Sequence, residues 1–364
     1  MLNMVALSFW VGIKIASLAM VFSCILWVGL WLITRRDLSG RLRAAFPCVL
    51  IGLMVLFFVV HKANLEYAQH VRQVWQKIGG HSLERALDFL IALSFSYVVL
   101  RALDMVACVS FRNARLMDPI SCLGYLFPIH MLVSGPVNPY QEHLRINVEA
   151  RTKIPLEQYL LGANDIATGL LYKFVISEYM RIFFFGLDGK VESRSLLDTA
   201  YLLIYTFFDF AGYSRMAVGL GRFFGIPTPE NFNSPFLAKS ITELFTRWHM
   251  SLGGFIQRNV YTPLQLRLVR AWGVKNAVWS GLVVLICSWV AVALWHRVSP
   301  LFLLYGLCMA ASIWVEKIVR DKVLRSGWGG KRGVQRAWAV AGPVYVFSAL
   351  TLMVHLVIRE IFIS

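Results

Sequence analysis

Apolar runs long enough to bridge a bilayer recur along the whole chain, separated by short polar breaks. A hydrocarbon core asks for roughly 20 apolar residues per helical crossing. Candidate spans fall at residues 15–34, 44–60, 86–100, 121–137, 167–186, 196–220, 277–295, 301–315 and 338–358. An earlier apolar stretch, residues 4–13, is too short to cross alone and is expected at the interface. The polar stretch 61–81, with Glu66, Arg72, Gln73 and Lys77, is expected on the extracytoplasmic side. The fourth run ends in Ser134, Gly135 and Pro136, and a Gly-Pro pair breaks a helix. Non-helical backbone at membrane depth is tolerated only where it is buried in protein or lines a water-filled cavity. Between residues 223 and 268 the pattern changes: Pro227, Pro229, Pro235, Asn231, Asn233, Arg247, His249 and Arg258 are mixed with aromatic residues. That stretch is too polar for a lipid-facing helix and too apolar for a solvated loop, so it is expected to form a polar interior. The pattern predicts an all-α, polytopic integral membrane protein with about 9–11 transmembrane or re-entrant helices around a polar central cavity. One membrane-embedded domain is expected, with peripheral helices at 1–120, a core at 121–315, and a basic loop and last helix at 316–364.

Composition strengthens this reading. Of 364 residues, 58% are hydrophobic and 15% charged, and the mean hydropathy is +0.62, more than a soluble domain carries. The formal charge of +16 raises nucleic-acid binding, but the Lys and Arg residues fall at the ends of apolar runs rather than along one face. Lys317, Arg320, Lys322, Arg325, Lys331, Arg332 and Arg336 form one basic cluster; Arg35, Arg36, Arg41 and Arg43 form another. By the positive-inside rule both are expected on the cytoplasmic side, a reading favoured over an anionic-lipid site. The third run leads to a further basic stretch with Arg101, Arg112 and Arg115. Cys24, Cys48, Cys108, Cys122, Cys287 and Cys308 lack paired spacing, which fits small core residues rather than disulfides or a metal site. No removable signal peptide is expected, and no internal repeat supports inverted-repeat transporter architecture.

Three polar groups in apolar surroundings carry candidate chemistry. His249 sits in Arg247-Trp248-His249-Met250-Ser251-Leu252-Gly253-Gly254, where the small residues let a helix or ligand approach closely. His296 closes an apolar run as Leu294-Trp295-His296-Arg297. An intramembrane histidine is costly unless it has a partner or a task, and a satisfied interfacial side chain is the plainer alternative. Asp209 is either an orienter of a catalytic group or substrate, or half of an ion pair with Arg215 or Arg222. The pair is favoured, because buried carboxylates in helical membrane proteins usually have a cationic partner. Lys173 is expected to snorkel or to pair with Glu178.

Taken together, the stretch from Phe207 to Leu264 resembles the membrane-bound O-acyltransferase (MBOAT) family. The matching text is Phe207-Phe208-Asp209-Phe210-Ala211-Gly212-Tyr213-Ser214, then Pro229-Glu230-Asn231-Phe232-Asn233 with Pro235-Phe236, then Arg247-Trp248-His249-Met250-Ser251-Leu252, then Tyr261-Thr262-Pro263-Leu264. Weaker likeness extends to Phe127-Pro128, Ser134-Gly135-Pro136 and Trp295-His296, so it covers roughly half of the chain. The branch acting on cell-envelope polymers, with alginate O-acetyltransferases and teichoic-acid D-alanyl transfer proteins, looks closest, with a slight lean to D-alanyl transfer. The resemblance implies that His296 matches the signature histidine and His249 the second characteristic position. The chain departs from the branch at Gly253-Gly254-Phe255-Ile256-Gln257-Arg258-Asn259 and at Arg297, which bears on the acyl group and acceptor more than on the reaction class.

Moving an acyl group from a thioester to a hydroxyl needs a base for the hydroxyl proton and donors for the developing oxyanion. A desolvated imidazole stays neutral and accepts that proton. His296 and His249 are therefore the expected catalytic residues, with Arg247, Asn231, Asn233, Asp209, Trp248 and Ser251 positioning substrate and no metal. The resemblance implies an acyl thioester co-substrate, carried on a carrier-protein phosphopantetheine or as acetyl-CoA, with no bound cofactor. It also implies a cytoplasmic acyl carrier protein or acyl-CoA, an extracytoplasmic partner protein, and residence in the inner or cytoplasmic membrane as a multi-pass protein. A transporter or proton relay using Asp209, His249 and His296 is the rival, and a scaffold that recruits an extracytoplasmic partner is a third reading.

Overall fold

A helix satisfies its own backbone hydrogen bonds, so in lipid it turns apolar side chains outward instead of hiding them. The computed structural model describes residues 13–34, 40–66, 95–132, 135–149, 154–185, 195–326 and 331–361. Within these, three helices are long and apolar enough to cross a membrane, Val274–His296, Pro300–Val323 and Arg332–Val357, and Ala19–Thr34 and Ala45–Val59 are shorter apolar helices. Between 22% and 28% of each long span is buried, and Trp279, Val340, Val344 and Leu356 point outward as a bilayer would require. Among the described residues the protein is all-α; its one β feature is an isolated antiparallel bridge, Phe232 with Trp248. The interfacial stretch expected at 4–13, most of the polar stretch 61–81, and the first part of the span at 86–100 lie outside the described residues.

The chain divides into two compact units, Met1–Ile166 with Ser214–Pro229, and Ala167–Tyr213 with Glu230–Ser364. The first unit holds α1 (Ile13–Thr34), α2 (Gly40–Glu66), α3 (Phe95–Phe111), α4 (Pro119–Leu126) and α5 (Tyr140–Glu149), with most of α6 (Leu156–Leu170). Asp118 caps α4 by accepting from the Ile120 and Ser121 amides, and Ser121 holds its carboxyl below the usual range. α4 ends at Leu126, and a single 3₁₀ turn, Ile129–Met131, follows, so the break comes before Gly135-Pro136 rather than at it. The carbonyls freed there are recovered by Arg101, whose Nη2 donates to Met131 O at 3.2 Å and Pro136 O at 3.1 Å. Arg101 is fully buried within α3. It is therefore not part of a basic stretch after the third span, and its charge serves the irregular backbone instead of orientation. Asp104, one turn on, accepts from the Tyr140 amide at 2.8 Å.

Gly162 on α6 faces Gly219 on α8 (Leu196–Phe223) so closely that a Cβ on either would lie within 2.9 Å of the other's carbonyl oxygen. This small-residue approach brings Asp165 between Arg215 at 2.8 Å and Arg222 at 2.9 Å, and Arg222 also donates to Gln158.

In the second unit a π-helical turn, Leu171–Ile176, leads into α7 (Ser177–Phe185). Then come α9 (Ile241–Arg247), α10 (Met250–Ile256), a second π-helical turn (Gln257–Tyr261), α11 (Thr262–Trp272), α12 (Ala277–His296), α13 (Pro300–Arg325) and α14 (Arg332–Ile361). α12 and α13 form an antiparallel hairpin, in register through Trp279 with Trp314, Trp289 with Tyr305, and His296 with Phe302. Leu203, Ile241, Leu244, Met309, Ile313, Val346 and Leu350 form the core beneath α9. The α9 N-terminus is doubly satisfied: Ser240 accepts from the Glu243 amide, and Glu316 of α13 accepts from the Ile241 and Thr242 amides at 2.9 and 3.0 Å. Glu316 had no sequence signal.

The sequence spans locate these helices but shorten them. Helix begins at Leu156 rather than 167, and α13 runs to Arg325 rather than 315. Lys317, Arg320, Lys322 and Arg325 are consequently helical, not loop, residues; long cationic side chains extend a membrane helix past its apolar window by snorkelling.

Candidate active site

His249 occupies a bend held by backbone pairing with the segment around Phe232. Its backbone is left-handed, at φ 48° and ψ 50°, between the end of α9 and the start of α10. For a residue with a Cβ this costs about 1–2 kcal/mol. The segment around Phe232 clamps it from both sides: the Asn233 amide donates to Arg247 O, and the Met250 amide donates to Asn231 O, each at 2.9 Å. The Asn231 side chain, itself buried, accepts from the Ser251 hydroxyl at 2.6 Å and the Ser251 amide at 3.3 Å. Arg247 donates to Glu243 at 2.6 Å, and the Lys239 amide together with Arg247 holds the Glu243 carboxyl below the usual range. Phe207, Phe232 and Phe236 enclose Trp248 edge-on or tilted, with ring centres 5.2–6.2 Å away.

The imidazole so presented is buried, which disfavours its charged form. Phe210 meets it edge-on at 4.8 Å and Trp295 edge-on at 5.7 Å; Trp295 in turn meets His296 at 4.6 Å. Both histidines line a single cavity of about 850 Å³ inside the second unit. One is desolvated and the other is not: His296, at the C-terminus of α12, is exposed. The desolvation argument of the sequence therefore applies to His249.

The wall of the cavity follows helical periodicity. Val278, Gly281, Leu285, the adjacent Ser288 and Trp289, Val292 and His296 follow a three-to-four-residue spacing along one face of α12. Gln257 and Tyr261 enter from the second π-helical turn. Pro263 stands at the start of α11 without an N–H, so the ladder loses a rung there and the wider turn precedes it. Gly253, Gly254 and Gln257, where the sequence leaves the branch pattern, are all on the wall.

Of the residues expected to position substrate, Trp248 lines the cavity with the two histidines. Asn231, Asn233, Arg247 and Ser251 lie behind them, in the bonds that fix the His249 bend. Asp209 is held by an ion pair, as favoured, but its cation is Lys173, not Arg215 or Arg222. Those arginines serve Asp165, and Glu178, the partner expected for Lys173, takes Arg181. Asp209 does not line the cavity that the two histidines share. Sequence reasoning passed over Ser288, Trp289 and Tyr305 as ordinary span residues; the three-to-four-residue spacing of polar and small positions on α12 was the available signal. No group of three or more His, Cys, Asp or Glu side chains able to hold a metal occurs among the described residues.

The family model for membrane-bound O-acyltransferases matches residues 49–358. The chain belongs to this family. It is 30% identical over 225 residues to the teichoic acid D-alanyltransferase of Bacillus subtilis, covering 59% of this chain and 56% of that protein. It is 32% identical over 196 residues to the peptidoglycan O-acetyltransferase of Helicobacter pylori, covering 51% and 35%. It is 27% identical over 238 residues to a probable alginate O-acetylase of Azotobacter vinelandii, covering 64% and 44%. The chain thus spans about half the length of the curated relatives it matches.

Proposed function

We propose that this MBOAT protein is an O-acyltransferase of the cytoplasmic membrane that moves an acyl group, D-alanyl or acetyl, from a cytoplasmic thioester to a hydroxyl of an extracytoplasmic envelope glycopolymer. The observation that carries this reading is the pair of histidines on one cavity wall, one buried and one exposed. The exposed His296 takes the proton of the acceptor hydroxyl as its oxygen attacks the thioester carbonyl. A C–O bond forms, the C–S bond breaks, and the imidazolium returns the proton to the departing thiolate. The buried, neutral His249 donates toward the carbonyl oxygen, where negative charge develops. The donor is a carrier-protein phosphopantetheine or acetyl-CoA, and an extracytoplasmic protein assists delivery to the polymer. The names of the three relatives support an envelope-polymer acceptor and leave D-alanyl and acetyl transfer both open as the group.

The test is transfer of radiolabelled acyl groups to envelope polymer in cells carrying the wild-type chain, His296→Ala or His249→Ala, at matched membrane levels. Loss of label by roughly 10²- to 10⁴-fold in His296→Ala is expected for a lost general base. Full labelling in both variants overturns the histidine mechanism.

A further inference from the structure

α9 has seven residues and leads directly into the His249 bend, so its direction decides where that imidazole stands. A helix this short does not hold a direction by itself, since isolated helices below about 12–15 residues are marginal in water. What grips its two ends sets it. At the C-terminal end the grip is the pairing with the segment around Phe232. At the N-terminal end it is Glu316 of α13. Glu316 Oε1 accepts from the Ile241 amide at 2.9 Å, and Oε2 accepts from the Thr242 amide at 3.0 Å and the Thr242 hydroxyl at 2.9 Å. The Glu243 amide donates to the Ser240 hydroxyl and the Leu244 amide to Ser240 O, so the first four donors of α9 are all met. The two caps differ in reach. Ser240 adjoins the helix it caps, whereas Glu316 lies 75 residues from Ile241. Glu316 stands on the helix that pairs with α12 and sets Phe302 against His296. It therefore ties the element that presents His249 to the hairpin that carries His296. Ile241, Leu244, Met309 and Ile313 also join α9 to α13, but apolar burial is non-directional. A carboxylate with both oxygens engaged adds direction.

We infer that Glu316 is a positioning residue for the transfer: by gripping the first turn of α9 from α13, it fixes the place of the His249 imidazole relative to His296. This inference rests on the acyltransfer reading above. Glu316 itself does not line the cavity, so it acts through His249 rather than on the substrate. Glutamine at this position keeps the size of the side chain but turns one accepting oxygen into a donor. Either Ile241 or Thr242 then loses its partner, and the helix is held on one side only.

The full chain in nanodiscs is assayed with radiolabelled acetyl-CoA and with a D-alanyl carrier-protein thioester, envelope polymer being the acceptor, and the donor that the wild type uses is carried forward. A misplacement of about 1 Å costs up to 10²-fold, so Glu316→Gln is expected to lower kcat roughly tenfold and to leave the donor KM within about twofold. In the His249→Ala background the same substitution should change the residual rate by less than about twofold, because the group it positions is gone. Ser240→Ala removes a cap from the same helix without touching the tie to α13; it is expected to lower thermal stability and keep kcat within about twofold. If Glu316→Gln does not reach the membrane, Thr242→Val, which removes the hydroxyl bond alone, carries the same comparison with a fall of about threefold. Wild-type kcat in Glu316→Gln overturns the inference. So does an equal fall with and without His249, or a fall in Ser240→Ala as deep as that in Glu316→Gln, since Glu316 would then serve the fold alone. Transfer by the wild type together with any of these results removes this inference and leaves the function; no transfer by the wild type from either donor removes the function, and this inference with it.

Discussion

Asp165 and Asp209 are both carboxylates on apolar helices, and their surroundings set different values on them. Asp165 is 7% exposed and meets two arginines; Asp209 is 40% exposed and meets Lys173. Removing one partner of a buried pair strands a charge, whereas an exposed pair contributes about 0–1 kcal/mol. Asp165→Asn is therefore expected to lower thermal stability in detergent clearly, by about 2 kcal/mol, and Lys173→Met by less than about 1 kcal/mol. Equal losses would mean that the two sites are screened alike. Glu243 gives a pH dependence. Its carboxyl is depressed in the fold by the Lys239 amide and Arg247, so its contribution is present above the ordinary glutamate range and is lost as pH falls through the lowered value. Glu243→Gln should flatten that part of the acid side of the stability curve, read by thermal unfolding between pH 3 and 6, roughly the window of an ordinary carboxylate. The sequence showed that Asp209 needed a cation but not which one, because the choice among Lys173, Arg215 and Arg222 depends on helix pairing that has no local signature.

Those pairings belong to glycines at the scale of the element. At Gly212 a Cβ would sit 2.7 Å from the Lys173 amide nitrogen and 2.8 Å from Gly169 O. The close approach of α8 to the π-helical turn is thus what lays Lys173 beside Asp209. Gly212→Val is expected to force the two apart, costing about 1–3 kcal/mol as overpacking does and abolishing any further effect of Lys173→Met. A double-mutant cycle on thermal stability measures that coupling, and simple additivity of the two changes would sink the argument. Hydropathy showed the apolar centres of α8, α12, α13 and α14 because lipid-facing residues are apolar without regard to neighbours. It missed their ends, which are set by caps and snorkelling cations such as Lys317 and Arg325, and it read buried Arg101 as a loop charge. On the cavity wall, both histidines were legible as polar groups beside apolar runs, although only His249 is desolvated. The role of Asn231 and Ser251 was not, since a polar residue that braces a bend and one that meets substrate have the same composition.

For the molecule as a whole, the proposed transfer from a cytoplasmic thioester to an extracytoplasmic hydroxyl requires that α13 join the two sides of the membrane. α13 begins at exposed Pro300, close in sequence to His296, and its basic end carries Lys317 and Arg320. With 24 residues in its apolar span, it reaches across a hydrocarbon core in one pass. Single cysteines at Pro300 and at Lys331, placed in a chain whose six native cysteines are replaced, should report this directly with a membrane-impermeant maleimide. Pro300→Cys is expected to label in intact spheroplasts, and Lys331→Cys only after permeabilisation, because basic flanks stay cytoplasmic. The reverse pattern would put the basic end of α13 outside, away from a cytoplasmic thioester, and would overturn the proposed direction of transfer. Labelling of both sites from outside would mean that α13 does not cross, and the cavity would then join one compartment to itself. Under the proposed function, only the expected pattern puts the basic end of α13 on the donor's side and the end near His296 on the acceptor's side.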